Sequence, residues 1–327
     1  MRASIPLLLQ LSCLPIAGLA QSARQERSIK LPAGVSVVAQ QLVWPSASVS
    51  REATLLAAIC SDHLVRTWSV RSGELLLSLD AHAGLPTAVQ ISSDGRFLAV
   101  AYEKGAIEVF DADSGKIRHE LMLSAPMYVL AFSPDNRRLA GAGDFDTYVW
   151  DLAARKKLAT ISPPFGFSSW LSFSPDGRWV ATADRDTFVR VYDANSGSLR
   201  SSAKDFILEP MAVASLPDGK SVLAGGVDKT ISIIDRDTGK VLRALPKQAE
   251  IVVLLDVSAD GRKAAALYPS AERFNDIDQV RLWDLRNGTV LASFHKPGVT
   301  IIGGASVDDH YLFTTSAANE LTVWSLR

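Results

Sequence analysis

The chain has 327 residues, with 34 Lys and Arg against 35 Asp and Glu and a formal charge of −1. That balance leaves no basic excess to neutralise a phosphate backbone, which argues against a nucleic-acid partner. Hydrophobic residues make up 47% of the chain, enough for a large core, and the two cysteines, Cys13 and Cys60, are too few for a disulfide framework.

At the start, Arg2 precedes a mostly apolar run that ends in Gly18, Leu19 and Ala20. Small residues at that point suit a signal peptidase, so residues 1–20 are read as a signal peptide cut before Gln21. The mature chain is then expected to be secreted or periplasmic. The run is short for a membrane helix and is broken by Pro6 and Pro15, so retention as an N-terminal anchor is the alternative. Leu11-Ser12-Cys13 is a weak hint of lipidation, because Gln10 stands where Leu is expected and the apolar run continues past Cys13. Residues 21–327 are expected to form one domain. Cleavage would leave Cys60 alone, at the end of an apolar strand, where a buried structural thiol is the expected state.

A short phrase of alternating apolar residues then recurs seven times, at 65–70, 107–112, 147–152, 189–194, 231–236, 280–285 and 321–326. Its large residue falls at Trp68, Phe110, Trp150, Tyr192, Ile234, Trp283 and Trp324, in steps of 42, 40, 42, 42, 49 and 41 residues. Ahead of each phrase but the first lies a tight-turn signal such as Ser93-Asp94-Gly95, Pro134-Asp135-Asn136 or Pro175-Asp176-Gly177. The first repeat has Arg51-Glu52 there. After the phrase comes a second turn, at Gly73, Gly115, Gly197, Gly239 and Gly288; the third repeat has Ala154-Arg155 instead, so a different turn is expected. Each unit therefore yields four short strands, a to d, with the phrase on c. A repeat of this length made of strands predicts an all-β, seven-bladed β-propeller, four antiparallel strands per blade. The last phrase leaves no residues for its strand d, and Arg27 to Leu31 is expected to supply it, tying the chain ends together.

These phrases resemble the WD40-repeat family over nearly the whole mature chain. Trp150-Asp151 and Trp283-Asp284 match its eponymous ending, Phe110-Asp111 and Tyr192-Asp193 are close variants, and Phe132-Ser133-Pro134-Asp135 and Phe173-Ser174-Pro175-Asp176 match its a–b turn. The family's turn aspartate, six residues before the large residue, matches Asp62, Asp144, Asp186 and Asp228. The departure is the Gly-His pair before strand a, for which His82 is the sole comparable residue; the family's His–Asp network is thus expected to be missing from most blades. The resemblance implies a non-enzymatic scaffold, with b–c and d–a loops sharing the binding rim.

Motifs for catalysis are missing: there is no G-x-S-x-G, H-E-x-x-H, P-loop or C-x-x-C, and His63, His82, His119, His295 and His310 are scattered. No catalytic residue, metal or cofactor is assigned. The aspartates near the b–c turns, among them Asp144, Asp146, Asp184, Asp186, Asp228, Asp276 and Asp278, are either calcium ligands or acid–base pairs, or turn-capping carboxylates; their recurrence favours the second. Departures from the repeat point elsewhere. The loop before blade 4 gathers Phe165, Phe167 and Trp170 beside two prolines, Phe206 follows in the next d–a loop with Phe145 in reach, and the long step adds a charged loop with Glu272, Arg273 and Phe274. These are candidate anchors for a protein or peptide partner; the competing reading packs Phe165, Phe167 and Trp170 into the channel mouth. A monomeric, exported scaffold is the leading expectation. The alternative is a lactonase-like or dehydrogenase-like propeller enzyme or ligand binder using the channel, where Asp256 and Glu209 would contribute. An envelope-complex subunit is a third reading.

Overall fold

The computed structural model describes residues 24–37, 47–50, 52, 54–80, 82–164, 166–204, 208–269, 277–295, 299–306, 311–316 and 320–325. They form four-stranded antiparallel sheets, seven in number, set around a central axis. Blade 1 is Ala47–Val49, Leu55–Ile59, Val65–Ser69 and Leu75–Leu79. Blade 2 is Pro86–Ile91, Phe97–Tyr102, Ala106–Asp111 and Ile117–Met122, and blade 3 is Met127–Phe132, Arg138–Gly143, Thr147–Asp151 and Lys156–Ile161. Blade 4 is Ser168–Phe173, Trp179–Asp184, Val189–Asp193 and Leu199–Ala203. Blade 5 is Pro210–Ser215, Ser221–Gly226, Ile231–Asp235 and Val241–Ala244, and blade 6 is Leu254–Val257, Lys263–Pro269, Ile277–Asp284 and Thr289–His295. In each, strand a is innermost and strand d outermost.

The remaining sheet is composite, ordered Arg24–Lys30, Glu320–Ser325, Tyr311–Ser316, Val299–Ser306. This corrects the expectation of seven blades built alike. Six blades are four consecutive strands each, and the other sheet joins the two ends of the described chain. Its clasp strand runs from Arg24 to Lys30 rather than from Arg27 to Leu31, with a bulge between Gln25 and Arg27. Val299–Ser306 adjoins strand a of blade 1 and strand c of blade 6, which closes the ring.

The core lies between blades, and the repeated phrase explains why. The large residue on strand c packs against the preceding blade: Trp150 meets Ala88, Ala99 and Ala101 of blade 2, and Phe110 meets Ala57 of blade 1. In blade 2, strand b offers small residues to the following blade and larger ones to the preceding blade, as Ala99 and Ala101 alternate with Leu98 and Val100. Large against small lets twisted sheets interdigitate at native density. Trp68 uses the same rule on the clasp, sharing a buried cluster with Ile29.

The turns obey the same economy. Gly95, Asn136, Gly177, Gly219 and Gly261 all take positive φ on the a–b turns, as Asp-Gly and Asp-Asn lead one to expect. On the c–d turns, Arg155 adopts φ +52° where the other blades place glycine, so the backbone shape survives. The expected difference is confined to the hydrogen bond. Arg155 N–H donates to Leu152 O at 3.3 Å, whereas Gly197 N–H reaches one residue further back, to Asp193 O at 2.8 Å. Cys60 is buried, and burial pushes its thiol up, so it behaves as a small core residue.

Candidate interaction rim and central channel

The two rims of the ring differ in chemistry. On the a–b side the turns satisfy themselves. The hydroxyls of Ser92, Ser133, Ser174 and Ser258 donate to Asp94, Asp135, Asp176 and Asp260 at 2.6–2.7 Å. The same hydroxyls accept the N–H groups of Phe97, Arg138, Trp179 and Lys263. Against the upward push of burial, these bonds hold Asp94, Asp135 and Asp176 below the ordinary carboxyl value.

The b–c and d–a loops form the other rim, where arginines recur. In blade 4 the buried Arg190 guanidinium lies between Asp184, at 2.6 Å, and Asp186, at 2.6 and 2.8 Å, and stacks 4.4 Å from the Phe188 ring centre. Ser168 donates to Asp184 at 2.7 Å. In blade 1, Arg66 grips Asp62 through two bonds of 2.7 and 2.5 Å, and this pairing holds the Asp62 carboxyl down. In blade 6, Arg281 reaches Glu250 at 2.9 Å and lies 4.5 Å from the Tyr268 ring. Between blades 4 and 5, Arg185 lies 4.1 Å from the Phe167 ring and 3.2 Å from Glu209, which also accepts the Ser169 hydroxyl at 3.0 Å. Asp228 instead caps Thr230, accepting its N–H at 3.0 Å and its hydroxyl at 2.7 Å. Among the described residues, no cluster of three His, Cys, Asp or Glu could hold a metal ion.

Blade 3 breaks this pattern. Tyr148 stands where blades 1 and 4 have arginine, and its hydroxyl donates to Asp146 at 3.0 Å. Ser162 also donates to Asp146, at 2.5 Å, and Tyr128 donates to Asp144 at 3.3 Å. Burial and the neighbouring carboxylate push both phenols up, so they remain donors at neutral pH. Phe145, between the two aspartates, is 69% exposed. The d–a loop before blade 4 lies directly against this turn: a Cβ on Gly166 would come within 3.0 Å of the Asp144 carbonyl oxygen. Leu208, in the next d–a loop, is also exposed.

The channel has a volume of about 470 Å³, lined by the inner strands of blades 1–6 and reaching the a–b turns at Ser93, Pro134, Pro175 and Pro217. Trp170 lies along it and packs against the cores of blades 3 to 6. Gln90, Ser172, Ser215 and Asp256 contribute to the polar lining, and the Ser172 and Ser215 hydroxyls bond across two blades at 3.2 Å.

The sequence-derived candidates therefore separate. Phe167 is on the rim, half-buried beneath Arg185, and Trp170 faces the channel. Phe165, Phe206, Glu272, Arg273 and Phe274 lie outside the described residues. Asp256 lines the channel, whereas Glu209 is paired on the rim. The exposed pairing of Phe145 with Asp144 and Asp146 stands out in the structure. Its trace in the sequence is the tyrosine that replaces arginine in the third phrase.

Comparison with known proteins agrees with this architecture. The profile of the WD domain, G-beta repeat, matches residues 161–193, and that of the anaphase-promoting complex subunit 4 WD40 domain matches residues 85–135. These two profile matches, with the relatives below, support a WD40-repeat β-propeller family for this chain. Similar relatives include eukaryotic translation initiation factor 3 subunit I of Culex quinquefasciatus, 29% identical over 40% of this chain and 45% of that protein. Another is small ribosomal subunit protein RACK1y of Oryza sativa subsp. japonica, 27% identical over 40% of this chain and 41% of that protein. The matches thus span less than half of either relative. A chain in the crystal structure of the mitotic checkpoint complex superimposes with a TM-score of 0.78, covering 99% of this chain and 98% of that chain at 17% identity, a likeness of fold alone. The propeller fold is consistent with a scaffold for protein–protein interaction, and the described residues contain no helix long and apolar enough to cross a membrane.

Proposed function

We propose that this propeller is a non-enzymatic interaction scaffold, exported through the leader at 1–20, that engages a protein or peptide partner through its b–c and d–a loops. The observation that carries the reading is Phe145, a mostly exposed aromatic ring on a loop braced by the neighbouring blade. Rigid, exposed aromatics are the usual anchors of interfaces, because they bury much area for little lost entropy. The relatives named as an initiation-factor subunit and a ribosomal-subunit protein are themselves parts of larger assemblies, which supports the same role here. Phe165, Phe206, Glu272, Arg273 and Phe274 are further partner-binding candidates on the sequence pattern alone.

The test has two arms. Mature chain and the Phe145→Ala variant serve as parallel baits on the source organism's envelope fraction; a protein retained by the first and lost by the second supports the scaffold reading. Retention unchanged by the variant would move the contact elsewhere. Fractionation with N-terminal sequencing checks export, which predicts a mature chain beginning at Gln21; a chain retaining Met1 in the cytoplasm would contradict it.

A further inference from the structure

The rim builds one chemical unit three times: a guanidinium stacked on an aromatic ring and paired with a carboxylate. It does so with Arg190 on Phe188 beside Asp184 and Asp186, with Arg185 on Phe167 beside Glu209, and with Arg281 on Tyr268 beside Glu250. At blade 3 the ring and the carboxylates are present, as Phe145, Asp144 and Asp146, without the cation. Among the described residues no Lys, Arg or His pairs with either carboxylate, and none lies over the Phe145 ring. Lys157 sits over the Tyr148 ring at 5.1 Å instead. The carboxylates are held by hydroxyl donors, which fix their direction and leave their charge in place.

We propose that Phe145, flanked by Asp144 and Asp146, seats one arginine or lysine side chain presented by the partner protein, completing in trans the unit that Arg190, Arg185 and Arg281 complete internally. This rests on the interaction reading above. A cation over an exposed ring gains from the ring's negative face, and a carboxylate on each side adds Coulomb attraction. Such a contact selects a basic segment and repels an acidic one.

The test is selection of short random displayed peptides on the full chain, followed by fluorescence anisotropy with the enriched peptides. The protein variants are Phe145→Ala, Asp144→Asn with Asp146→Asn, and Arg96→Ala on the opposite rim, each checked for an unchanged melting curve. The expected result is an enriched Arg or Lys whose replacement by Met weakens binding about tenfold, the size of one cation–π contact plus an ion pair. The double Asn variant should show the same loss, Arg96→Ala none, and added salt should weaken binding. Peptides that need Phe145 but neither a basic residue nor the aspartates would overturn the inference and leave the scaffold reading standing. Binding indifferent to every rim variant would count against both. Failure to enrich any peptide would overturn the inference, while the envelope capture still decides the scaffold reading.

Discussion

Blades 3 and 4 are adjacent, share a phrase and a fold, and treat the charge on their b–c turns in opposite ways. Blade 4 encloses Asp184 and Asp186 around a buried Arg190, so the charges are spent on the blade itself. Blade 3 holds Asp144 and Asp146 with phenol and serine hydroxyls and leaves an aromatic ring in solvent between them. One position accounts for much of this, arginine at 190 and tyrosine at 148. The comparison teaches that repetition marks what the fold needs and that a broken repeat leaves surface chemistry over. A buried ion pair is worth little against an apolar substitute, yet breaking it strands a charge. Blade 4 is therefore committed to structure.

The comparison can be broken most forcefully at Arg190. Replacing it with Ala leaves two buried carboxylates unpaired, and the expected loss is about 3–5 kcal/mol of stability, read by urea unfolding. A loss below about 1 kcal/mol would show that water already screens that site. Next comes Trp150→Ala, which removes the ring that fills the gap between blades 2 and 3; an expected cost of about 3–5 kcal/mol places the core between blades rather than within them.

Smaller effects sharpen the contrast. Tyr148→Arg should supply blade 3 with its own guanidinium, leave the melting curve within a few degrees, and weaken binding of basic peptides. Unchanged binding would disconnect Tyr148 from the seat. Acid titration separates the two turn chemistries further. Arginine holds Asp62 and Asp193 below the usual carboxyl range, so their folded values lie under the unfolded value of about 4. Their contribution is present in full above that value and is lost as pH falls through the folded value. Urea midpoints should thus be flat from neutral pH to about 5 and fall below about 4; Asp62→Asn should flatten part of that fall.

Much of the fold was legible because propeller blades repeat their physics. The spacing of Trp68, Phe110, Trp150 and Tyr192 marked strand c, and Asp94-Gly95 and Asp176-Gly177 marked turns whose backbone takes positive φ. What the repeat hid were the exceptions. Arg155 keeps a glycine-like conformation without glycine, and the clasp strand begins three residues before Arg27, past a bulge that alternation does not reveal. The site was less legible. Apolar composition drew attention to Phe167 and Trp170, but composition does not say which rings find cover: Arg185 lies over Phe167, and Trp170 lines the channel. Phe145 stands exposed between aspartates held by the hydroxyls of Tyr128, Tyr148 and Ser162, an arrangement that the repeat pattern does not announce.

The most direct measurement is hydrogen–deuterium exchange of the full chain with and without an enriched basic peptide. The account predicts slowed exchange over 143–148 and 162–168, with the a–b turns and the channel strand Leu254–Val257 unchanged. Protection confined to Leu254–Val257 and the a–b turns would contradict it and place binding in the channel.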